Sequence, residues 1–179
     1  VTKQNAYGGG ITCDSFESWF ENYTALISFN GMGLVVTNST SFARMFKGCV
    51  SLTSITGISG WHAEQATDYS EMFAGCSSLE SIDLSVFVTA DKPASGSGTV
   101  IRNRTNMLAG MTSLKQIRLG TMTSLVDTGL DAISSRTDKL GVWDAEDKVA
   151  DEDARWSGTS SQLIARYPVT GGVSINNAL

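Results

Sequence analysis

Few residues in this sequence are placed to do covalent chemistry. His62 is the single histidine, so multi-histidine metal sites and paired-histidine mechanisms are excluded. No G-x-S-x-G elbow supplies a serine nucleophile for it to serve, and beside Trp61 it reads as a surface or turn residue. Cys13, Cys49 and Cys76 lack C-x-x-C spacing and frame neither a zinc site nor a disulfide scaffold. The acidic run Asp144, Glu146, Asp147, Asp151, Glu152, Asp153 lacks the D-x-[DN]-x-[DN]-G order of a calcium loop and reads as a solvated face. The glycines of YGGGI (7–11) and NGMGL (30–34) lack the Lys-Ser/Thr of a phosphate loop. Carboxylates such as Asp83 are glycosidase candidates only in the way that any acidic chain offers them. The expectation is a protein that is not an enzyme, with no metal site and no cofactor.

Composition narrows the partners. The 179 residues suffice for one domain with a sizeable core. Charged residues make up only 17% and the net charge is −5, so the clustered Lys and Arg that phosphate affinity requires are missing and nucleic acid is not an expected partner. The 23 Ser and 18 Thr predict a neutral, hydroxyl-rich surface. No run of eighteen apolar residues exists and no basic amphipathic stretch suggests a membrane surface. The first residues have neither a charged n-region nor an apolar h-region, and Val1 in place of Met is expected of a processed or excised chain.

Internal repetition is the strongest signal. The segments SFESWFENYTALISFNG (15–31), SFARMFKGCVSLTSITG (41–57), DYSEMFAGCSSLESIDL (68–84) and NRTNMLAGMTSLKQIRL (103–119) align residue for residue, with steps of 26, 27 and 35 between Trp19, Met45, Met72 and Met107. Such periods predict an α/β leucine-rich-repeat solenoid of about four coils, each burying its apolar face against its neighbours. Phe16, Trp19, Phe20, then Phe42, Met45, Phe46, then Tyr69, Met72, Phe73 stand at i, i+3, i+4 and predict a two-turn helix per unit. Thr67 or Asp68 is a plausible N-cap, and Gly48, Gly75 and Gly110, with Asn22 in the first unit, sit where a positive φ ends that helix. The second half of each unit alternates, as in Leu79, Ile82, Leu84, and predicts a short parallel strand. Stacked coils align Leu26, Leu52, Leu79, Leu114 and Phe29, Ile55, Ile82, Ile117 inward. They align Ser28, Ser54, Ser81, Gln116 and Asn30, Thr56, Asp83, Arg118 outward.

The units MFKGCVSLTSI and MFAGCSSLESIDLS, the second preceded by TDYSE, resemble the repeat of the BspA-like family of bacterial leucine-rich-repeat surface proteins, over roughly residues 15–120. The resemblance implies a secreted or cell-surface protein that acts as a protein-interaction or adhesion module, with a host or bacterial surface protein as partner. Tyr23 and Met111 replace the family's Cys, and Arg104 replaces the aromatic or Met that opens the stripe. Those departures mark terminal coils. The contact candidates are Asn30, Thr56, Asp83, Arg118 and Trp61. A passive structural spacer within a larger surface protein is the alternative.

Cys49 and Cys76 occupy one ladder position at about 5 Å separation, which permits either a disulfide or two buried thiols; the parallel aim of ladder side chains favours thiols. The third unit is about eight residues longer than the second, and within it TADKPASGSGT (89–99) is a protruding loop by composition. The expected organisation is a lead-in at 1–14, a repeat region at 15–120 and a C-terminal cap at 121–179. Within the cap, GVWDAEDK (141–148) reads as a strand and TSSQLIARY (159–167) as a helix, with Trp143, Trp156 and Tyr167 in its core.

Overall fold

The structure, a computed structural model, describes residues 10–93, 99–120, 122–130, 140–144 and 156–158. It corrects the expected fold: the described residues contain no helix, so the chain does not form a helix-plus-strand solenoid. Its strands are short and belong to small separate sheets. In chain order they are β1 (Ile11–Thr12), β2 (Ser28–Asn30), β3 (Leu34–Val35), β4 (Ser54–Thr56), β5 (Ser81–Asp83), β6 (Lys92–Pro93), β7 (Thr99–Val100), β8 (Gln116–Leu119), β9 (Leu140–Asp144) and β10 (Trp156–Gly158). Parallel pairs join β1 to β3, β2 to β4, β5 to β8 and β8 to β9; β6–β7 and β9–β10 are antiparallel. The sheet is interrupted between β4 and β5. The expected tail helix at 159–167 and most of the acidic run lie outside the described residues.

The segments expected to be helical are chains of tight turns, and their hydrogen bonds show why. In the second unit, alternate amides leave the segment: Phe42, Arg44, Phe46 and Gly48 donate to the carbonyls of Asp68, Ser70, Met72 and Ala74 at 2.8–2.9 Å. The amides between them stay local, Met45 to Phe42, Lys47 to Arg44 and Cys49 to Phe46, each three residues back. The first unit repeats this toward the second, from Phe16, Ser18, Phe20 and Asn22, and the third repeats it toward the fourth, from Tyr69, Glu71, Phe73 and Gly75. An α-helix would spend all these donors four residues back within itself, and its roughly 10 Å diameter does not fit units tied at a strand spacing of about 4.8 Å.

The alternation needs a left-handed residue every four positions. Ser18, Arg44, Glu71 and Asn106 have φ of 54–57°, and Asn22, Gly48, Gly75 and Gly110 have φ of 62–76°. A non-glycine residue there costs about 1–2 kcal/mol. The amide it aims at the next unit offsets a similar amount. Each segment opens on a bridge in the ladder Ser15–Ser41–Asp68–Asn103, and the side-chain oxygen of that residue accepts the amide two residues on, as from Ala43 to Ser41 and from Ser70 to Asp68.

Inside, equivalent residues stack. Phe16, Phe42 and Tyr69 form one column, with ring centroids 5.5 and 5.8 Å apart and planes within 10°. Phe20, Phe46 and Phe73 form another, at 5.5 and 5.7 Å. Leu52, Leu79 and Leu114 are fully buried beneath them. Cys49 and Cys76 are buried free thiols that donate to the carbonyls of Phe20 and Phe46 in the preceding unit. Burial raises the pKa of both, Cys76 to about 12 with the neighbouring Cys49 adding to the effect.

Gly75 stacks directly on Gly48, whose Cα lies 3.7 Å from where a Cβ at position 75 would stand, so space is adequate and only the φ of 76° resists a side chain. Gly75→Ala is expected to cost about 1–2 kcal/mol, measured as a lower denaturant midpoint. An unchanged midpoint contradicts the left-handed turn.

Candidate interaction surface

The exposed side of the strands carries the residues singled out for binding. Pairing matches Ser28 with Ser54 and Asn30 with Thr56 on β2–β4, and Ser81 with Gln116 and Asp83 with Arg118 on β5–β8. The central residues of these strands, Phe29, Ile55, Ile82 and Ile117, face inward, and the flanking ones face out. The structure therefore brings Asn30 to Thr56 and Asp83 to Arg118, as two pairs on two separate sheets.

Two of these side chains have local tasks as well. The Asn30 Oδ1 accepts the Met32 amide at 3.0 Å, and the Asp83 Oδ1 accepts the Ser85 amide at 2.9 Å, each closing the turn after its strand. Asp83 also pairs through Oδ2 with Arg118 at 3.3 Å. Such a half-exposed pair contributes at most about 1 kcal/mol. Asn30 and Thr56 are exposed, and the Thr56 hydroxyl lies 3.5 Å from the Phe29 carbonyl. Other surface ion pairs also link successive units: Arg44 with Glu17 and Glu21, Lys47 with Glu71, and Lys115 with Glu80.

Trp61 is elsewhere. It is 4% exposed, its Nε1 donates to the Gly31 carbonyl at 3.2 Å, and its ring lies among Phe16, Phe29, Phe42 and Phe87. It fills the interior and is not presented to a ligand. His62 beside it is exposed. Among the described residues no group of three or more His, Cys, Asp or Glu side chains converges as a metal site would require, and they form no helix long and apolar enough to cross a membrane.

A polar cluster at the third unit escaped sequence reasoning. The stretch expected to be a loose loop is a hairpin at its base, with Lys92 opposite Val100 and Pro93 opposite Thr99. Below it Arg102 and Arg104 are 5% and 6% exposed. Arg102 donates to the carbonyls of Ala66, Ala90 and Glu64; Arg104 donates to those of Val126, Thr89 and Arg102. The Asp91 carboxylate accepts both the Arg102 amide at 2.8 Å and the Arg104 guanidinium at 3.1 Å. The available signal was Arg104 standing where other units carry an aromatic residue, next to the extra length.

The molecule's relatives add nothing to this geometry: no family model, no curated protein and no solved structure matches the chain.

Burial alone would raise the Asp91 pKa, but the Arg102 amide and the charge and hydrogen bond of Arg104 outweigh it and hold the carboxyl below its usual range. Because the folded value lies below the unfolded one, this contribution is complete above the ordinary carboxylate range and is lost as pH falls through the depressed value. Asp91→Asn is expected to cost about 1–3 kcal/mol at neutral pH, through weakened pairing of buried donors. Thermal melts in a pH series should show the gap from the unsubstituted chain closing in acid; a gap constant with pH contradicts the assignment.

Proposed function

We propose that the chain is a bacterial cell-surface interaction or adhesion module that contacts a surface protein of a host or of another bacterium through its outward strand face. One observation carries the reading: backbone bonds between units fix Ser28, Asn30, Ser54 and Thr56, and separately Ser81, Asp83, Gln116 and Arg118, as ordered polar rows. Rows of this kind lose little side-chain and backbone freedom on binding, so modest polar contacts suffice. The residue pattern of 67–85, which resembles the BspA-like repeat, supports a secreted or surface location and a protein partner. Asn30, Thr56 and Arg118 are the contact residues, with Asp83 orienting Arg118. The reading is one of binding, and no catalytic role is assigned to any residue.

The spacer alternative has its own observation. Asp83 and Arg118 satisfy one another within the chain, and none of the residues named on this face is aromatic, the type that dominates many binding hot spots.

Surface plasmon resonance of the whole chain against purified host extracellular-matrix proteins separates the two. Adhesion predicts saturable binding to a member of the panel and at least a tenfold loss in N30A/T56A/R118A, about 1.4 kcal/mol, with the melting temperature kept. Binding indifferent to the triple substitution, or no binding at all, contradicts the face as the contact surface.

A further inference from the structure

The end of β2 carries a pair of residues able to react with one another. Asn30–Gly31 is the only Asn-Gly pair in the sequence. Glycine after asparagine removes the side chain that otherwise hinders the following amide nitrogen from reaching the asparagine side-chain carbonyl. Packing requires the glycine. A Cβ at position 31 would stand 2.6 Å from the Trp61 ring and 2.9 Å from Ile58. The Gly31 carbonyl accepts the Trp61 Nε1 at 3.2 Å and the Leu34 amide at 3.1 Å. The interior ring that Gly31 admits therefore fixes a reactive pair at the edge of the polar face.

In the closed structure both reacting groups are held. The Gly31 amide, the nucleophile, is buried and donates to the Thr56 carbonyl of the second unit at 2.8 Å. The exposed Asn30 side chain lies against Gly57, and its Oδ1 accepts the Met32 amide at 3.0 Å. Ring closure requires the Gly31 proton to reach solvent and the Asn30 side chain to turn back over its own peptide. Parting β2 from β4 breaks the bond to Thr56 and withdraws the Gly57 backbone against which that side chain rests.

We infer that Asn30–Gly31 is a self-modification site, sealed by the second unit, which converts to aspartate or isoaspartate when the junction between the first two units opens. The Gly31 nitrogen attacks Asn30 Cγ. The N–Cγ bond forms, the Cγ–Nδ2 bond breaks, and Nδ2 leaves as ammonia with the proton that the Gly31 nitrogen gave up. Water then opens the cyclic imide. Attack at Cγ restores the ordinary main chain with an aspartate at position 30, and attack at the main-chain carbonyl carbon leaves the chain running through Cγ.

The two products differ in consequence. An aspartate fits, since Asp83 at the equivalent place accepts the Ser85 amide as Asn30 accepts that of Met32, and it adds a negative charge to the outward row. Isoaspartate lengthens the main chain by one carbon and takes Gly31 out of line with Thr56, so β2 no longer recloses in register. Opening of this junction is then recorded irreversibly. The chemistry does not depend on the adhesion reading, although Asn30 is a contact residue in it.

The test incubates the whole chain and a synthetic peptide of residues 26–34 side by side in mildly alkaline buffer, with and without sub-denaturing urea. Mass-spectrometric mapping with electron-transfer fragmentation measures aspartate and isoaspartate at position 30, and hydrogen exchange follows the Gly31 amide. The expected result is both products in the peptide, formation at least about tenfold slower in the folded chain, and a rate in urea that rises with Gly31 exchange. Gly57→Ala, whose methyl would press on Asn30 Oδ1, is expected to speed modification and exchange together. A change in one without the other overturns the gating. Equal rates in chain and peptide overturn the seal, and a position 30 that stays intact while the Gly31 amide exchanges freely overturns the site.

Discussion

Backbone donors shared between neighbouring units are the constraint on which the rest of the molecule depends. Because alternate amides of each turn segment leave for the next unit, the units must lie in register at strand spacing. Their aromatic residues then stack face on face rather than interdigitate. The left-handed residues, the glycine column and the short strands follow from that requirement. A single shifted unit would misalign two junctions and both ring columns, so stability is shared between neighbours rather than held in one place.

Polar and apolar parts of the structure serve the same end in different ways. The columns of Phe, Met and Leu supply the burial that drives association of the units. Hydroxyls and carboxylates at the corners satisfy the amides that the relay leaves over, as Ser41 and Asp68 do. At the third unit, where extra chain breaks the repeat, Arg102 and Arg104 bind six backbone carbonyls between them and Asp91 supplies the one carboxylate. The long guanidinium forks reach carbonyls that no regular neighbour covers. This irregularity is accommodated by hydrogen bonding rather than by packing.

Much of the residue correspondence was legible in the sequence. The alignment that placed Phe29 with Ile55 and Ile82 with Ile117 is the one the backbone pairs. The positive φ at Asn22, Gly48, Gly75 and Gly110 also followed from residue type. The helices did not follow, because i, i+3, i+4 spacing is shared by an α-helix and by successive three-residue turns, and residues such as Ser18, Arg44 and Glu71 do not announce a left-handed backbone. Trp61 was misread as a surface ring because its place in the interior depends on Gly31, a residue of the preceding unit. The site itself was legible only as an alternation, which says that Asn30 and Thr56 face outward and nothing about what meets them.

Through-hydrogen-bond NMR couplings between amide nitrogens and carbonyl carbons test the relay most directly, since each observed coupling identifies one donor and its acceptor. The account predicts couplings from Arg44 to Ser70, Phe46 to Met72 and Glu71 to Thr105. Couplings from these amides to carbonyls four residues earlier in their own segments would show helices and contradict it.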